Sequence, residues 1–349
     1  LKNTNERIIS WNKFTKICKI GYKHSSSNAT VNLSNIASAL SELGSIIYTN
    51  KATHIVLDPN WFYNHIIRRL IRFTKSEPSE DTLVFNNGCV AQELLERNLE
   101  STIGFKVEGS LVLRLMEAMH LCCKIGFDHV NAYKSNVHLI FIPAILPNVG
   151  VHQLQWDSPY NLDDNDGNDT FVYRGRRLEC ENKDLTFLTP GLFPRIQVEF
   201  NNVFKEEDHV KINLGKDFIS ISIQNMDIIV VFCKAHSDHV IDVLVRATYS
   251  DTQQMYREEH LDYVQENVIN RLITICAQPT SVQGVKLIES VIRPDCLRYP
   301  SRAHDREDQS VEITYLKEQL RKKLERGEPK SYDWKRTYSQ THGYLKSDF

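Results

Sequence analysis

Apolar residues recur at helical spacing through the first third of the chain, with short β-like runs between the helical segments. The helical period predicts helices over residues 6–20, 33–43, 60–73, 89–99 and 108–123. Gly44 is a stop signal for the second helix, and Asp58 followed by Pro59 is a start signal for the third. Two apolar runs within residues 45–57 flank the polar sequence TNKAT and predict a two-stranded wing. This order of elements is typical of a winged-helix domain, which we expect over residues 1–150.

The pattern changes after a polar, acidic and turn-rich connection. Runs of β-branched and aromatic residues predict strands over residues 171–173, 185–188, 219–224, 228–235 and 240–248. Short turns join the last three runs, so we expect an antiparallel meander, which a long helix over residues 253–277 closes. The remaining tail carries four prolines and one amphipathic helix over residues 311–326.

Together these patterns predict an α+β protein of two domains and a tail. We expect a winged-helix-like first domain over residues 1–150, an antiparallel sheet with helices over residues 151–278, and a helical tail over residues 279–349. A length of 349 residues and a hydrophobic fraction of 41% are sufficient for two ordinary domains. The chain begins with Leu1 rather than Met, which we interpret as a fragment whose upstream part is missing.

Charge is distributed unevenly along these three segments. Residues 1–150 contain 16 Lys and Arg against 12 Asp and Glu, residues 151–278 contain 12 against 21, and residues 279–349 contain 14 against 11. The segments therefore carry charges of +4, −9 and +3. Because none is basic enough to require phosphate contacts, we do not expect nucleic acid as a partner.

No segment has the length that a membrane span requires. The longest apolar stretch, Leu139 to Leu146, is interrupted by Pro143 and falls short of the roughly 20 residues needed. No apolar leader follows Leu1, so we expect a cytoplasmic protein that does not bind membranes. The eight cysteines have no framework spacing and should be reduced thiols, with the adjacent pair Cys122-Cys123 in a helix.

Three motifs suggest a cofactor or metal site, and each lacks essential groups. The segment Gly104–Gly109 has the glycine spacing of a phosphate-binding loop but no Lys after it. The acidic stretch over residues 162–173 places Leu and Tyr where a calcium loop needs its first and last oxygen ligands. Cys233, His236 and His239 offer three ligands around one turn, whereas structural zinc takes four. We therefore predict no cofactor, no metal and no catalytic residue, so that the chain is not an enzyme.

A basic face is expected on the third predicted helix. His65, Arg68, Arg69 and Arg72 are spaced 3, 1 and 3 apart, opposite the apolar stripe. Three interpretations stay open: a solvated helix face, a docking surface for an acidic protein partner, and a nucleic-acid-binding surface. The last is disfavoured, because a DNA-reading wing should also be basic and this one carries only Lys51.

Two segments resemble a known family. HIVLDPNWFYNHIIRRLI, residues 54–71, resembles the LDPxWL segment of the COR domain, which lies C-terminal to the Roc GTPase domain in Roco proteins. FLTPGLFPRIQVEFNN, residues 187–202, is similar to the PxGLFxRLIVxLH segment of the second COR half. The residues of this second segment are most similar to those of plant Roco proteins of the TORNADO type. The resemblance to the family extends over about residues 4–277. The motif positions that would have structural roles are Asp58, Pro59, Trp61, Pro190, Gly191 and Phe193.

The resemblance implies a function without catalysis. COR domains are not enzymes; they hold the Roc GTPase domain, homodimerise largely through their second half, and relay nucleotide state to other domains. For this chain the resemblance implies a scaffold and dimerisation module whose partner is a Roc GTPase domain of the parent protein, where any GTP binding would reside. It also implies a helix over residues 192–203, where RIQVEF alone alternates like a strand. The alternative class is a winged-helix nucleic-acid-binding protein.

The predicted meander also bears on self-association. Its apolar residues exceed what one facing helix covers easily; they are Ile219, Ile221, Ile223, Ile229 and Val231. A sheet with exposed apolar surface and free edges tends to bury them against a second copy. We therefore expect a homodimer formed through this sheet.

Overall fold

A computed structural model of the chain provides the fold. It describes residues 6–22, 32–49, 53–68, 70, 84–85, 88–103, 108–125, 138–146, 156, 170–182, 184, 188–189, 191–204, 210–223, 226–235, 238–249, 262–277, 285–297, 310–312, 322, 331–333 and 344–346. The chain divides into two compact units, the first comprising Leu1–Pro147 and Val198–Lys205, and the second comprising Asn148–Gln197 and Glu206–Phe349. Both units contain helical segments and antiparallel sheets, so the predicted α+β class is confirmed.

The first unit opens on a strand rather than on a helix. Strand β1 (Ile8–Ser10) pairs antiparallel with β2 (His54–Val56), and helix α1 (Trp11–Tyr22) begins directly after it. The predicted helix over residues 6–20 is therefore wrong in its first turn. Ile9 is buried opposite Ile55 in this strand pair, and three residues are too few for sequence alone to distinguish a strand from a helical turn.

Helix α2 (Leu33–Glu42) begins and ends as its sequence predicts. At its start, the side chain of Asn32 accepts a hydrogen bond of 3.0 Å from the backbone N–H of Ser34. At its end, Gly44 has a φ of +67°, a left-handed conformation that glycine adopts without steric strain.

The region predicted as a wing is paired at one point between its two apolar runs and also with β1. Strand β2 has β1 as its partner, and an isolated bridge joins Ile47 to Val56. Residues 50–52 lie outside the described residues. The winged-helix arrangement therefore stays a prediction.

The next helix combines two helical geometries. Helix α3 (Pro59–Trp61) is a single α-helical turn, and it continues into a π-helical segment, Phe62–Ile67. A π-helix closes i→i+5 hydrogen bonds, so its side chains do not follow the 3.6-residue period. Arg68 and Leu70 are helical as well, and the rest of the helix predicted over residues 60–73 lies outside the described residues.

A four-stranded antiparallel sheet completes the first unit, in the order β3-β4-β6-β5. Its strands are β3 (Val84–Phe85), β4 (Cys89–Ala91), β5 (Cys123–Ile125) and β6 (Leu139–Phe141). Between β4 and β5 the chain forms helices α4 (Gln92–Ile103) and α5 (Gly109–Ala118).

Two of the helices predicted for this region begin or end at the wrong place. All three residues of β4 are buried, so this strand has no alternation that would separate it from the helix predicted over residues 89–99. Helix α5 ends at Ala118 rather than at residue 123, because His120 adopts a left-handed conformation. The expectation that Cys122 and Cys123 are helical is therefore wrong: Cys123 begins β5.

The second unit is built on a seven-stranded sheet, in the order β13-β12-β7-β11-β10-β9-β8, with antiparallel neighbours throughout. Its strands are β7 (Thr170–Cys180), β8 (Val210–Gly215), β9 (Phe218–Ile223), β10 (Met226–Ala235), β11 (Asp238–Tyr249), β12 (Leu287–Ile292) and β13 (Ser310–Glu312). The predicted meander is present as β9, β10 and β11. Strands β8 and β12, which the sequence analysis missed, extend the sheet.

Three predictions for the second unit need correction. Leu188 lies in no strand, although a strand was predicted over residues 185–188, and residues 185–187 lie outside the described residues. Strand β12 belongs to the sheet, although residues 279–349 were predicted to be a separate helical tail. Strand β13 occupies the start of the helix predicted over residues 311–326, of which Lys322 alone is described as helical.

The helices of this region agree with the predictions where they are described. Helix α6 (Leu192–Phe204) is the helix that the family resemblance implies over residues 192–203. A π-helical segment, Gln265–Ile269, leads into helix α7 (Asn270–Ala277). These form the end of the helix predicted over residues 253–277, and residues 253–261 lie outside the described residues. Strands β14 (Ser331–Asp333) and β15 (Tyr344–Lys346) pair with each other.

Candidate functional site

The first COR-like segment forms a capped helix start. The carboxylate of Asp58 accepts a hydrogen bond of 2.9 Å from the backbone N–H of Trp61, and Pro59 occupies the first helical turn. A backbone N–H at this position would have no hydrogen-bond partner inside the helix, so proline, which has no N–H, is suited to it. Arg7 lies 3.5 Å from the Asp58 carboxylate and connects the cap to β1.

Trp61 is the anchor of this turn. Its side chain is 5% exposed and belongs to an apolar cluster that α4 and α5 also line, through Leu95 and Leu113. The guanidinium of Arg7 lies over the indole ring, 5.3 Å from the ring centroid, and the imidazole of His65 stacks at 6.2 Å. The segment therefore has a structural role at this position: it fixes the start of α3 against the core of the first unit.

Removing the Asp58 cap is expected to destabilise the first unit by about 0.5–2 kcal/mol, because Asp58→Ala leaves the Trp61 N–H without its acceptor. Asp58→Asn is the matched control, since asparagine is also a good cap and the exposed ion pair with Arg7 contributes little. Urea unfolding followed by circular dichroism measures both variants. Equal loss in both would show that the ion pair, not the cap, stabilises this turn.

Half of the predicted basic face falls within the described residues. His65 and Arg68 are both exposed, whereas Arg69 and Arg72 lie outside the described residues. His65 belongs to the π-helical segment and Arg68 follows it. Four residues spaced 3, 1 and 3 apart share one face only if the helix is α-helical throughout. Because part of this helix is π-helical, the spacing by itself does not place the four side chains on one face.

The second COR-like segment starts helix α6. Pro190 lies outside the described residues, and Gly191 is an exposed turn residue whose added Cβ would meet no atom within 4 Å. Phe193 is 1% exposed, and its ring stacks on Phe232 of β10 at 5.5 Å. One turn later the amide of Gln197 donates a hydrogen bond of 2.6 Å to the backbone carbonyl of Gly215. Phe193 thus anchors the start of α6 on the sheet of the second unit.

Sequence reasoning missed a buried ion pair in that sheet. The guanidinium of Arg177 on β7 donates two hydrogen bonds, of 2.8 and 3.0 Å, to the carboxylate of Asp242 on β11, and the side chains are 4% and 0% exposed. Burial alone lowers the pKa of Arg177, but the hydrogen bonds and charge of Asp242 raise it above its ordinary value, so the guanidinium stays charged. The signal available in the sequence was one acidic residue inside the apolar run VIDVLV.

Two further cross-strand ion pairs accompany it. Arg246 of β11 donates a hydrogen bond of 2.5 Å to Asp227 of β10, and its guanidinium lies over the ring of Trp156 at 5.3 Å. Arg176 of β7 and Glu289 of β12 approach to 2.8 Å. All of these groups have a structural explanation, since each pairs opposite charges on neighbouring strands.

The CxxHxxH motif does not gather its residues. Cys233 is paired with Val240 and His239 with Lys234, so Cys233 and His239 point to opposite faces of the β10–β11 hairpin. His239 stacks on Phe232 at 5.0 Å, the thiol of Cys233 donates to Asp242 at 3.5 Å, and His236 lies outside the described residues. Within the described part of the chain, no group of three or more His, Cys, Asp or Glu side chains could hold a metal ion.

The cysteines have the properties of buried structural thiols. All eight are free, and six are buried. Burial raises the pKa of Cys89 and of Cys276 to about 12, and raises that of Cys122 well above its ordinary value. These three thiols therefore stay protonated near neutral pH, and a protonated thiol is a poor nucleophile.

The apolar surface predicted to drive dimerisation is already covered. Of the five residues proposed for it, Ile219, Ile221, Ile229 and Val231 are at most 1% exposed within the single chain, and Ile223 is half-buried. The expectation of excess apolar surface is therefore wrong. The meander is not a three-stranded sheet with one facing helix, because β7, β8 and β12 extend it and residues such as Trp156 and Leu297 pack on it.

The chain is thus an α+β protein of two units. Asp58 caps the helix at its first COR-like segment, and Phe193 anchors the helix at its second. No family model matches the chain. It is similar to Protein TORNADO 1 of Arabidopsis thaliana, with 28% identity over 335 residues. The aligned region covers 91% of this chain and 22% of TORNADO 1, so the chain spans about a fifth of that relative. Among the helices that the structure describes, none is both long and apolar enough to cross a lipid bilayer.

Proposed function

We propose that the chain is a non-catalytic COR-type scaffold of a Roco protein, which docks a Roc GTPase domain of the parent protein and self-associates. The similarity to TORNADO 1 over 91% of the chain is the observation that supports this proposal most strongly. Both COR-like segments lie within the aligned length in their expected order. Their described residues anchor helices, which favours a scaffold. We propose the cytoplasm as its location.

The exposed end of the α3 region is the proposed docking surface for the Roc domain. Arg68 presents positive charge there beside the exposed imidazole of His65, so an acidic partner surface fits. Charge reversal by Arg68→Glu is expected to weaken binding to the Roc domain about fivefold at low salt, and less at high salt. Titration of the purified Roc domain into the chain measures this affinity.

Arg97→Glu is the matched control for that experiment. Arg97 is an exposed arginine of the same unit on α4, paired with Glu93 at its own helix surface. Its reversal should leave the affinity for the Roc domain unchanged. Equal affinity of the Arg68→Glu variant and the wild-type chain for the Roc domain would show that the face around Arg68 is solvated and does not dock this partner.

Self-association is the second part of the proposal, and it rests on the family resemblance. The strands of the meander are covered within one chain, so the contact would use another surface of the second unit. Sedimentation velocity of the full chain at micromolar concentration is expected to show a dimer at moderate salt. Residues 151–278 carry a charge of −9, so the dimer should weaken at low salt, where repulsion is less screened. A monomer at both salt concentrations would contradict self-association.

The nucleic-acid-binding alternative is not favoured. It rests on a winged-helix order of elements in the first unit, which stays a prediction, and the predicted wing carries one basic residue, Lys51. The net charge of −2 for the whole chain also gives phosphate groups little attraction.

A further inference from the structure

A cavity of about 370 Å³ opens within the first unit. Three elements line it: strand β2 with the residue before it, helix α5, and the last turn of α6. None of the COR-like motif positions that the structure describes belongs to its lining. The volume is in the range of pockets that hold small organic ligands.

One face of helix α5 forms a wall of the cavity. Leu111, Arg114, Leu115 and Ala118 recur at i, i+3, i+4 and i+7, so their side chains share that face. Arg114 is exposed and, among the residues that the structure describes, has no hydrogen-bond or ion-pair partner. A guanidinium with five N–H donors is therefore available at the opening of the cavity, on a helix face that is otherwise largely apolar.

Strand β2 adds an imidazole to the lining of the cavity. The Nδ1 atom of His54 lies 2.9 Å from Oγ1 of Thr53, so one ring nitrogen of His54 is already engaged. Burial, and secondly the positive charge of Arg114, lower the pKa of His54. Both residues line the cavity. Glu117 is the acidic residue of the described lining, and it forms no ion pair with Arg114.

The rim of the cavity is held in an unusual conformation. His120 has a φ of +57°, in the left-handed region that a helix end usually fills with glycine. Its backbone closes helix α5, through a hydrogen bond of 3.0 Å to Glu117, while its imidazole Nδ1–H donates to Glu199 of α6. Backbone strain of this kind concentrates at functional sites. Here it places a histidine, rather than a glycine, at the edge of the cavity.

We propose that this cavity is a binding site for a small ligand carrying a phosphate or carboxylate group, which Arg114 and His54 hold while the apolar part of the ligand packs on Leu111 and Ala118. Arginine forms bidentate hydrogen bonds with both kinds of oxyanion. The imidazole of His54 can donate one further hydrogen bond from the ring nitrogen that does not face Thr53. This site is independent of the proposed scaffold role and would remain if the chain did not dimerise.

Calorimetric titration of the full chain tests the proposal with three probes: phenyl phosphate, benzoate and inorganic phosphate. We expect saturable 1:1 binding of phenyl phosphate or benzoate, and the tighter of the two identifies the headgroup. Inorganic phosphate should bind more weakly than phenyl phosphate, because it has no apolar part. Arg114→Gln is expected to weaken binding at least about tenfold, and His54→Gln by a smaller factor.

Arg97→Gln is the control, since Arg97 is an exposed arginine of the same unit outside the cavity. It should leave the affinity within about twofold of wild type. Because Arg114 is exposed, its variant should keep the wild-type unfolding midpoint. The proposal is overturned if neither aromatic probe binds saturably, or if Arg114→Gln and Arg97→Gln change the affinity equally.

Discussion

Replacing Asp242 by alanine is expected to lower the free energy of unfolding of the second unit by about 3–5 kcal/mol. The substitution leaves the guanidinium of Arg177, whose side chain is 4% exposed, without its carboxylate. The cost therefore comes mainly from an uncompensated charge rather than from the lost attraction. Urea unfolding monitored by circular dichroism gives the change directly.

Two matched variants separate this explanation from a general loss of sheet stability. Glu181→Ala breaks an exposed ion pair with Lys286 in the same sheet region, and it should cost less than about 1 kcal/mol. The double variant Arg177→Met, Asp242→Leu removes both charges and should recover most of the stability lost in Asp242→Ala. If Asp242→Ala costs no more than Glu181→Ala, the pair is not desolvated as described.

Trp61→Ala is expected to destabilise the first unit by about 3–5 kcal/mol. The indole is 5% exposed within a packed apolar cluster, so truncation removes buried area and leaves a cavity. The variant also removes the ring over which Arg7 lies and on which His65 stacks. Urea unfolding monitored by circular dichroism measures this loss of free energy of unfolding.

Tyr63→Ala is the control for Trp61, because Tyr63 lies two residues further along the same helix and is 49% exposed. Its loss should change the free energy of unfolding by less than about 1 kcal/mol. Trp61→Phe should fall between the two, since phenylalanine fills part of the space. An unchanged unfolding midpoint for Trp61→Ala would contradict the packing of this turn.

Local signals in the sequence were sufficient for several elements. Gly44 and Asp58 define the end of α2 and the start of α3, because caps depend on residues within one turn. The three-residue strands β1 and β4 could not be separated from helical turns by periodicity. Strand β12 forms by pairing with β7, which lies more than a hundred residues earlier in the sequence. No local sequence pattern predicts a partner at that distance.

The same distinction applies to the candidate sites. The cap of Asp58 was predictable from LDPNW alone, whereas Arg177 and Asp242 are 65 residues apart in sequence and meet only once the sheet has formed. The cavity at Arg114 is equally non-local, since β2, α5 and α6 contribute to it. The sequence pattern of α5 does not show which element lies next to Arg114.

The cross-strand ion pairs also select one alignment of the strands during folding. Side chains alternate between the faces of a strand, so a slip of one residue between β7 and β11 would turn Arg177 and Asp242 to opposite sides of the sheet. Both charges would then be buried singly, at a cost of several kcal/mol for each ion. A run of valines and isoleucines tolerates many pairings of similar energy, whereas a buried charge tolerates one. A β7 strand that adds to β11 out of register is therefore much less stable than one that adds in the native register.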